Sequence, residues 1–203
     1  MTTRHSTPHH PGRMAALLFA AVLATSGCGY NRIQTLDEAT SQAKQQISVQ
    51  LQRRSDLVPN LVATVQGFAS HETEVFTAVA DARAKLAGAT TSGDLSQMAA
   101  ASQQLNGALG RLLAISENYP QLKSNENFLR LQDELSGTEN RVAVARTDYN
   151  NAVNEYNTYI RRFPQVLTAK VMGMKPHDYF ELQDASAAVA PKVAFPPAGT
   201  KKP

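Results

Sequence analysis

Residues 128–163 read FLRLQDELSGTENRVAVARTDYNNAVNEYNTYIRRF. Apolar or aromatic side chains, with one threonine, recur at Phe128, Leu131, Leu135, Thr138, Val142, Ala145, Tyr149, Ala152, Tyr156, Tyr159 and Phe163, in steps that alternate between three and four. That alternation keeps one face of an α-helix apolar over its whole length, and no strand pattern of period two competes with it. The stretch therefore predicts one long helix with a single buried seam. Ser124 stands before it as an N-cap and Pro164 bounds its far end.

A seam of that length needs partners of similar length, and the preceding sequence supplies them. Leu95, Met98, Ser102, Leu105, Leu109 and Leu112 form a second helical stripe, with Asp94 as N-cap after the turn GATTSGD and a stop near Asn118, ahead of Pro120. Ile33, Leu36, Ala43, Ile47 and Leu51 make a third stripe. Val58, Leu61, Val65, Phe68, Val75, Val79 and Leu86 make a fourth. Between the last two lies RRSDLVPN. With Asp56 as N-cap, Pro59 falls in a first turn, where its missing N–H is harmless. A continuous helix from 33 to 87 would be about 80 Å long and would leave half its seam uncovered. The expectation is a break at Pro59 and an all-α, up-and-down four-helix bundle with long antiparallel helices. A short amphipathic helix ending at Gly173 follows, then a turn at Lys175 and Pro176.

The chain has 203 residues, a formal charge of +3, one cysteine and no tryptophan. Once a leader is set aside, this is enough for one domain, and no disulfide framework is available to it. Much of the positive charge lies in the leader and in Lys192, Lys201 and Lys202, so composition gives no case for nucleic acid. The leader reads MTTRHSTPHHPGRMAALLFAAVLATSG. Arg4, three histidines and Arg13 precede an apolar run from Met14 to Ala24, which is shorter than the roughly 20 residues a bilayer span takes. Thr25, Ser26 and Gly27 are small and bring a cleavage point just before Cys28. The layout resembles a bacterial lipoprotein signal, in which the cysteine becomes the acylated N-terminus, although Thr25 stands where leucine is usual. The expected organisation is a signal at 1–27, a helical domain at 28–184, and a disordered Ala/Pro-rich tail at 185–203.

Further resemblance is carried by YNRIQTLDEA, by QLQRRSDLVPNLVATVQGFASHETEVFTAVADARAKL, by the run from LGRLLAISENYPQLK through FLRLQDELSGTENRVAVAR to NTYIRRFP, and by MKPHDYFE. Together they span Tyr30 to Glu181, and the chain is identified from them as a member of the LemA family. That resemblance implies a four-helix bundle in a membrane-tethered protein of the bacterial envelope with no established molecular activity. The family usually carries an N-terminal transmembrane helix, where this chain has a short signal ending in Cys28. A lipoprotein reading puts the domain on the periplasmic face. An uncleaved anchor in the inner membrane is the alternative.

Few residues offer chemistry. His71 and Glu74 sit one turn apart, but His71 is the only histidine within the bundle, so a di-metal site lacks its second Glu-x-x-His pair and no metal or other cofactor is implied. Cys28 precedes the fold, no nucleophile and base can be paired, and GATTSGD lacks the lysine and strand of a phosphate loop. Arg54 and Glu72 interrupt the apolar stripe. An ion there must be paired or displaced to the rim, and Arg54, Glu134, Glu139 and Arg141 could form interhelical pairs that set register. Asp56, Asn60 and His71 complete the polar set of the first half. Tyr149, Tyr156 and Tyr159 read as core rings with hydroxyls at the rim, or, with Asn150, Asn154 and Asn157 beside them, as a groove of tyrosines and amides for a partner. The functional expectation is a non-catalytic scaffold or adaptor, tethered by lipid and working with an envelope protein. The rivals are a bilayer-remodelling protein, for which RRFPQVLTAKVMGMK is the amphipathic candidate, and a regulatory subunit of an envelope protease or transporter.

Overall fold

The computed structural model of the chain describes the backbone of residues 11–181 and the side chains from residue 29 onward. Among the described residues the protein is all-helical. Six helices follow one another: α1 (Pro11–Gln66), α2 (Thr73–Ser92), α3 (Leu95–Ser116), α4 (Pro120–Lys123), α5 (Glu126–Arg161) and α6 (Gln165–Val171). Residues 174–181 then run without regular structure back along α5. The sequence reading anticipated the helical class and the caps of α3, where Asp94 Oδ1 accepts from the Gln97 N–H at 3.0 Å. Gly93 closes α2 in the left-handed region at φ 69°, which only glycine adopts without strain.

The expected break at Pro59 is not there. α1 runs through it to Gln66, and the chain turns instead over residues 67–72. Proline at 59 cannot donate to the Ser55 carbonyl four residues earlier, and in an isolated helix that orphan acceptor would help to break it. Here Arg83 of α2 donates its Nε–H to Ser55 O at 3.0 Å, so a side chain from the next helix replaces the missing backbone bond. The length objection fails as well. From Ile33 to Gln66, α1 spans about 51 Å, and the 36 residues of α5 span about 54 Å, so each seam has a partner along its length. The pairs Arg32–Glu155 and Arg54–Glu139 show that α1 and α5 run antiparallel.

Helices α2 and α3 are much shorter, about 30 Å each, and form a hairpin that covers only part of the long pair. Here lies the main core, from Ile47 through Leu61, Leu86, Met98 and Leu105 to Phe128 and Tyr149. Beyond the hairpin tip at Gly93, the surplus of α1 and α5 is clad by α6 and by residues 174–181. A second apolar cluster of Ile33, Leu36, Tyr156, Ile160 and Ala169 fills that end.

Three smaller expectations shift. The cap of α5 is Asn125, whose Oδ1 accepts from Phe128 N–H at 3.1 Å, one residue after the anticipated Ser124. Phe68 lies exposed in the α1–α2 turn, and Ala69 is buried instead. The α5 seam follows the expected positions to Tyr149 and then moves to Val153, Tyr156, Asn157 and Ile160, leaving Phe163 80% exposed. A strict three–four alternation repeats every 3.5 residues, whereas a straight helix turns every 3.6, so the buried stripe drifts by about 20° per heptad. Residues 1–10 and the tail at 185–203 lie outside the described residues, as does the side chain of Cys28.

Candidate functional site

The densest polar arrangement is at the end of the bundle where residues 174–181 return along α5. Asn157 donates its Nδ2–H to the His177 carbonyl at 2.9 Å and accepts the His177 N–H on Oδ1 at 2.8 Å. Asn150 repeats the arrangement on Phe180, with Nδ2 to O at 3.2 Å and N to Oδ1 at 2.9 Å. Each primary amide thus satisfies both backbone groups of one residue. The spacing makes this possible: seven helical residues advance about 10.5 Å, and three residues of extended chain advance about 9 to 10 Å.

Other contacts close the clasp. The Tyr149 hydroxyl donates to the Asp178 carbonyl at 2.8 Å, and Tyr179 donates to Asn154 Oδ1 at 3.5 Å. Nε2 of His177 lies 2.6 Å from Oδ1 of Asp37, which joins the returning segment to α1. The His177 ring rests on Tyr156 with centroids 4.6 Å apart, and the Arg146 guanidinium lies 5.5 Å over the Phe180 ring. Phe180 is itself buried in the main core. Burial, and secondarily the nearby Asp178 carboxylate, push the Tyr149 phenol up to about 12. Burial also raises that of Tyr156, with Asp37 adding to it. Both hydroxyls therefore stay protonated and can donate.

A second polar junction lies deeper. Arg54 is 4% exposed, and its guanidinium reaches Glu139 Oε2 at 3.4 Å. The other oxygen of Glu139 accepts from Asn106 of α3 at 3.3 Å, so three helices meet there. Burial lowers the Arg54 pKa and the Glu139 charge opposes that shift, while Arg54 Nε is buried without a partner. This is a costly ion of the register-setting kind.

The remaining residues singled out in the sequence are dispersed. Asp56 is exposed and accepts from Gln52 at 2.8 Å on its own helix, and Asn60 is exposed with its carbonyl accepting from Thr64. His71 is exposed in the α1–α2 turn. Glu72 does not interrupt a stripe; it is the half-buried N-cap residue of α2, and its side chain makes no capping bond. Glu134 and Arg141 are exposed, and neither forms the anticipated interhelical pair among the described residues; only Arg54–Glu139 does. Arg141 lies along its own helix against Gly137.

The clasp brings together Tyr149, Asn150 and Tyr156, as a groove would, and fills that groove with the chain's own residues 177–180. Asn157 completes it together with Asp37 and Arg146, and of these Asp37 and Arg146 were not singled out beforehand. The available signal was a repeat: the dipeptide Tyr-Asn occurs at 149–150 and again at 156–157. Among the described residues no group of three or more His, Cys, Asp or Glu side chains could hold a metal ion. Among the same residues no helix is long and apolar enough to cross a membrane.

Magnetosome proteins MamQ 1 and MamQ 2 of Paramagnetospirillum magneticum are each 28% identical to the chain over 210 residues, covering 88% of it and 77% of the relative. Magnetosome protein MamQ of Magnetospirillum gryphiswaldense is 26% identical over 195 residues, covering 85% of the chain and 72% of the relative. The family model described as LemA family matches residues 43–195, which include α1 from Ala43 onward, all of α2 to α6 and the clasp, and the chain belongs to the LemA family.

Proposed function

We propose that the protein is a non-catalytic helical scaffold of the bacterial cell envelope, tethered to a membrane through its N-terminal segment, with Cys28 as the acylated residue. The observation that carries this reading is the clasp. The amides and phenols most able to hold a ligand are engaged by the chain's own backbone, and they stiffen the end of the bundle at which the chain toward Cys28 enters. Relatives named as magnetosome proteins support a place at a membrane. In this reading α1, α2, α3 and α5 act as an up-and-down four-helix bundle, with α4 as a connector and α6 as a cladding element. The domain faces the periplasm, and its exposed helical sides serve as a platform for an envelope protein.

Metabolic labelling with a fatty-acid analogue, followed by membrane fractionation, tests the tether. Wild-type protein should take up label and sediment with membranes, while Cys28→Ser should lose the label and either leave the membrane or accumulate as precursor. Two or more acyl chains contribute about 0.8 kcal/mol per buried methylene, which a polar helical surface cannot replace. Unlabelled wild-type protein would refute the acylation, and wild-type protein in the soluble fraction would refute the tether itself. Crosslinking in intact cells then identifies what the platform holds.

A further inference from the structure

Helix α6 and the turns that flank it carry an apolar surface with no partner in the chain. Phe163, Leu167, Val171 and Met172 are all exposed, Val171 at 86%. Three of them fall four residues apart, and within α6 that spacing places Leu167 and Val171 on one side, while Ala169 is buried against Ile33 and Ile160. Exposed apolar residues are common singly, but a cluster this dense marks a contact. Its surroundings are cationic. From Arg161 to Pro176 there is no acidic residue, and Arg161, Arg162, Lys170 and Lys175 are all exposed and make no ion pair among the described residues.

Position adds a separate argument. A Cβ built on Gly29 would lie 3.7 Å from Gln165 Cγ, so the chain leading back to Cys28 and the apolar run Met14–Ala24 departs directly beside α6. Apolar side chains ringed by cations, next to the tether, match the chemistry of an anionic bilayer surface. We propose that α6 with its flanking turns is the bilayer-contacting surface of the protein, where Phe163, Leu167, Val171 and Met172 enter the headgroup–acyl boundary and the four cations engage anionic headgroups. This deepens, and rests on, the membrane-tethered reading. Tethering raises the effective concentration of α6 at the bilayer into the millimolar range, so a patch of this size suffices without being an anchor in its own right. The contact would fix how the bundle stands on its membrane.

The chain has no tryptophan, which permits a direct test. Full-chain Val171→Trp is reconstituted into phosphatidylglycerol vesicles with brominated acyl chains, and separately into phosphatidylcholine vesicles. Leu129→Trp serves as control: Leu129 is exposed and lies near the opposite end of α5 from Arg161, about 48 Å away along the helix. Lipid bromines should quench the indole at position 171 strongly in the anionic vesicles and leave the indole at position 129 unquenched. Each cation contributes roughly fivefold to binding at such a surface, so adding Arg162→Ala, Lys170→Ala and Lys175→Ala should weaken the contact about a hundredfold. Protein that floats with the vesicles while Val171→Trp is quenched no more than Leu129→Trp overturns the α6 contact alone. An indole at position 171 sheltered from both bromolipid and aqueous iodide also overturns it, in favour of a protein partner or second copy. Protein that does not float overturns the tether and this inference with it.

Discussion

Pro59 and Arg83 form a compensating pair whose coupling can be measured. Proline leaves the Ser55 carbonyl without its helical donor, and the Arg83 Nε–H supplies one at 3.0 Å. Ser55 is 1% exposed, so water cannot readily take over. Arg83→Met keeps most of the aliphatic stem and removes the donor, leaving a buried carbonyl unpaired at a cost of about 1 to 3 kcal/mol. Pro59→Ala restores an N–H in helical register. The intrinsic difference between proline and alanine inside a helix is about 3 kcal/mol, and the gain should be smaller because Arg83 already offsets part of the loss. In the Pro59→Ala background the Ser55 carbonyl has a backbone partner, so Arg83→Met should then cost only its lost packing.

The expected coupling between the two sites is therefore about 1 to 2 kcal/mol. Urea unfolding of the parent, both single variants and the double variant, followed by far-ultraviolet circular dichroism, closes the cycle provided the slopes are equal. Coupling within about 0.5 kcal/mol is what unrelated sites show, and it would refute the claim that Arg83 is what lets α1 pass through a proline.

Arg54→Met should leave stability unchanged or raise it by about 1 to 4 kcal/mol, because a buried guanidinium with one long ion pair and an unpaired Nε is replaced by a shape-matched apolar chain. Glu139→Ala should lower stability by stranding that charge; equal losses in both variants would mean that Arg54 has a further partner. Asn157→Ala should release the His177 amide, read as faster hydrogen exchange at residues 177–180 with no change at Leu61 in the main core, a cost of about 1 to 3 kcal/mol confined to the clasp. Tyr149 sets an alkaline limit. Its folded pKa, about 12, exceeds the unfolded value near 10, so its contribution is complete below about pH 10 and is lost as pH rises toward 12. Melting across that window should fall less steeply in Tyr149→Phe, which has no proton to lose.

What the sequence showed and what it hid divide along one physical line. Helix type, the α3 cap and the first half of the α5 seam depend on residues within a turn or two of one another, and local patterning reports them. The drift of the seam is local too, but it accumulates: after three to four heptads at about 20° each, the stripe has moved most of one residue, so Val153 and Ile160 take the places expected of Ala152 and Tyr159. Pro59 was misread because the usual rule assumes an unaided helix. The group that rescues it stands 28 residues beyond the Ser55 carbonyl, in a different helix.

The clasp shows the same limit more sharply. Residues 174–181 have no periodicity, since their backbone groups bond to side chains and not to one another. Their regularity is stored in the partner. Tyr149, Asn150, Tyr156 and Asn157 present two identical pairs, two helical turns apart, and that rise of about 10.5 Å accommodates three extended residues from His177 to Phe180. Seen alone, such a row of amides and phenols has the chemistry of a peptide-binding groove, and a peptide does occupy it. That the peptide is the chain's own follows only from topology: α5 ends, α6 packs against α1 and α5, and the chain returns antiparallel to α5. The return joins α1 through Asp37 to α5 through Asn157, at the end where Gly29 enters the fold. A polar site that looked available for a partner is thus the fastening that holds the two longest helices and α6 in fixed relation, and the surfaces left for a partner are the exposed sides of the bundle.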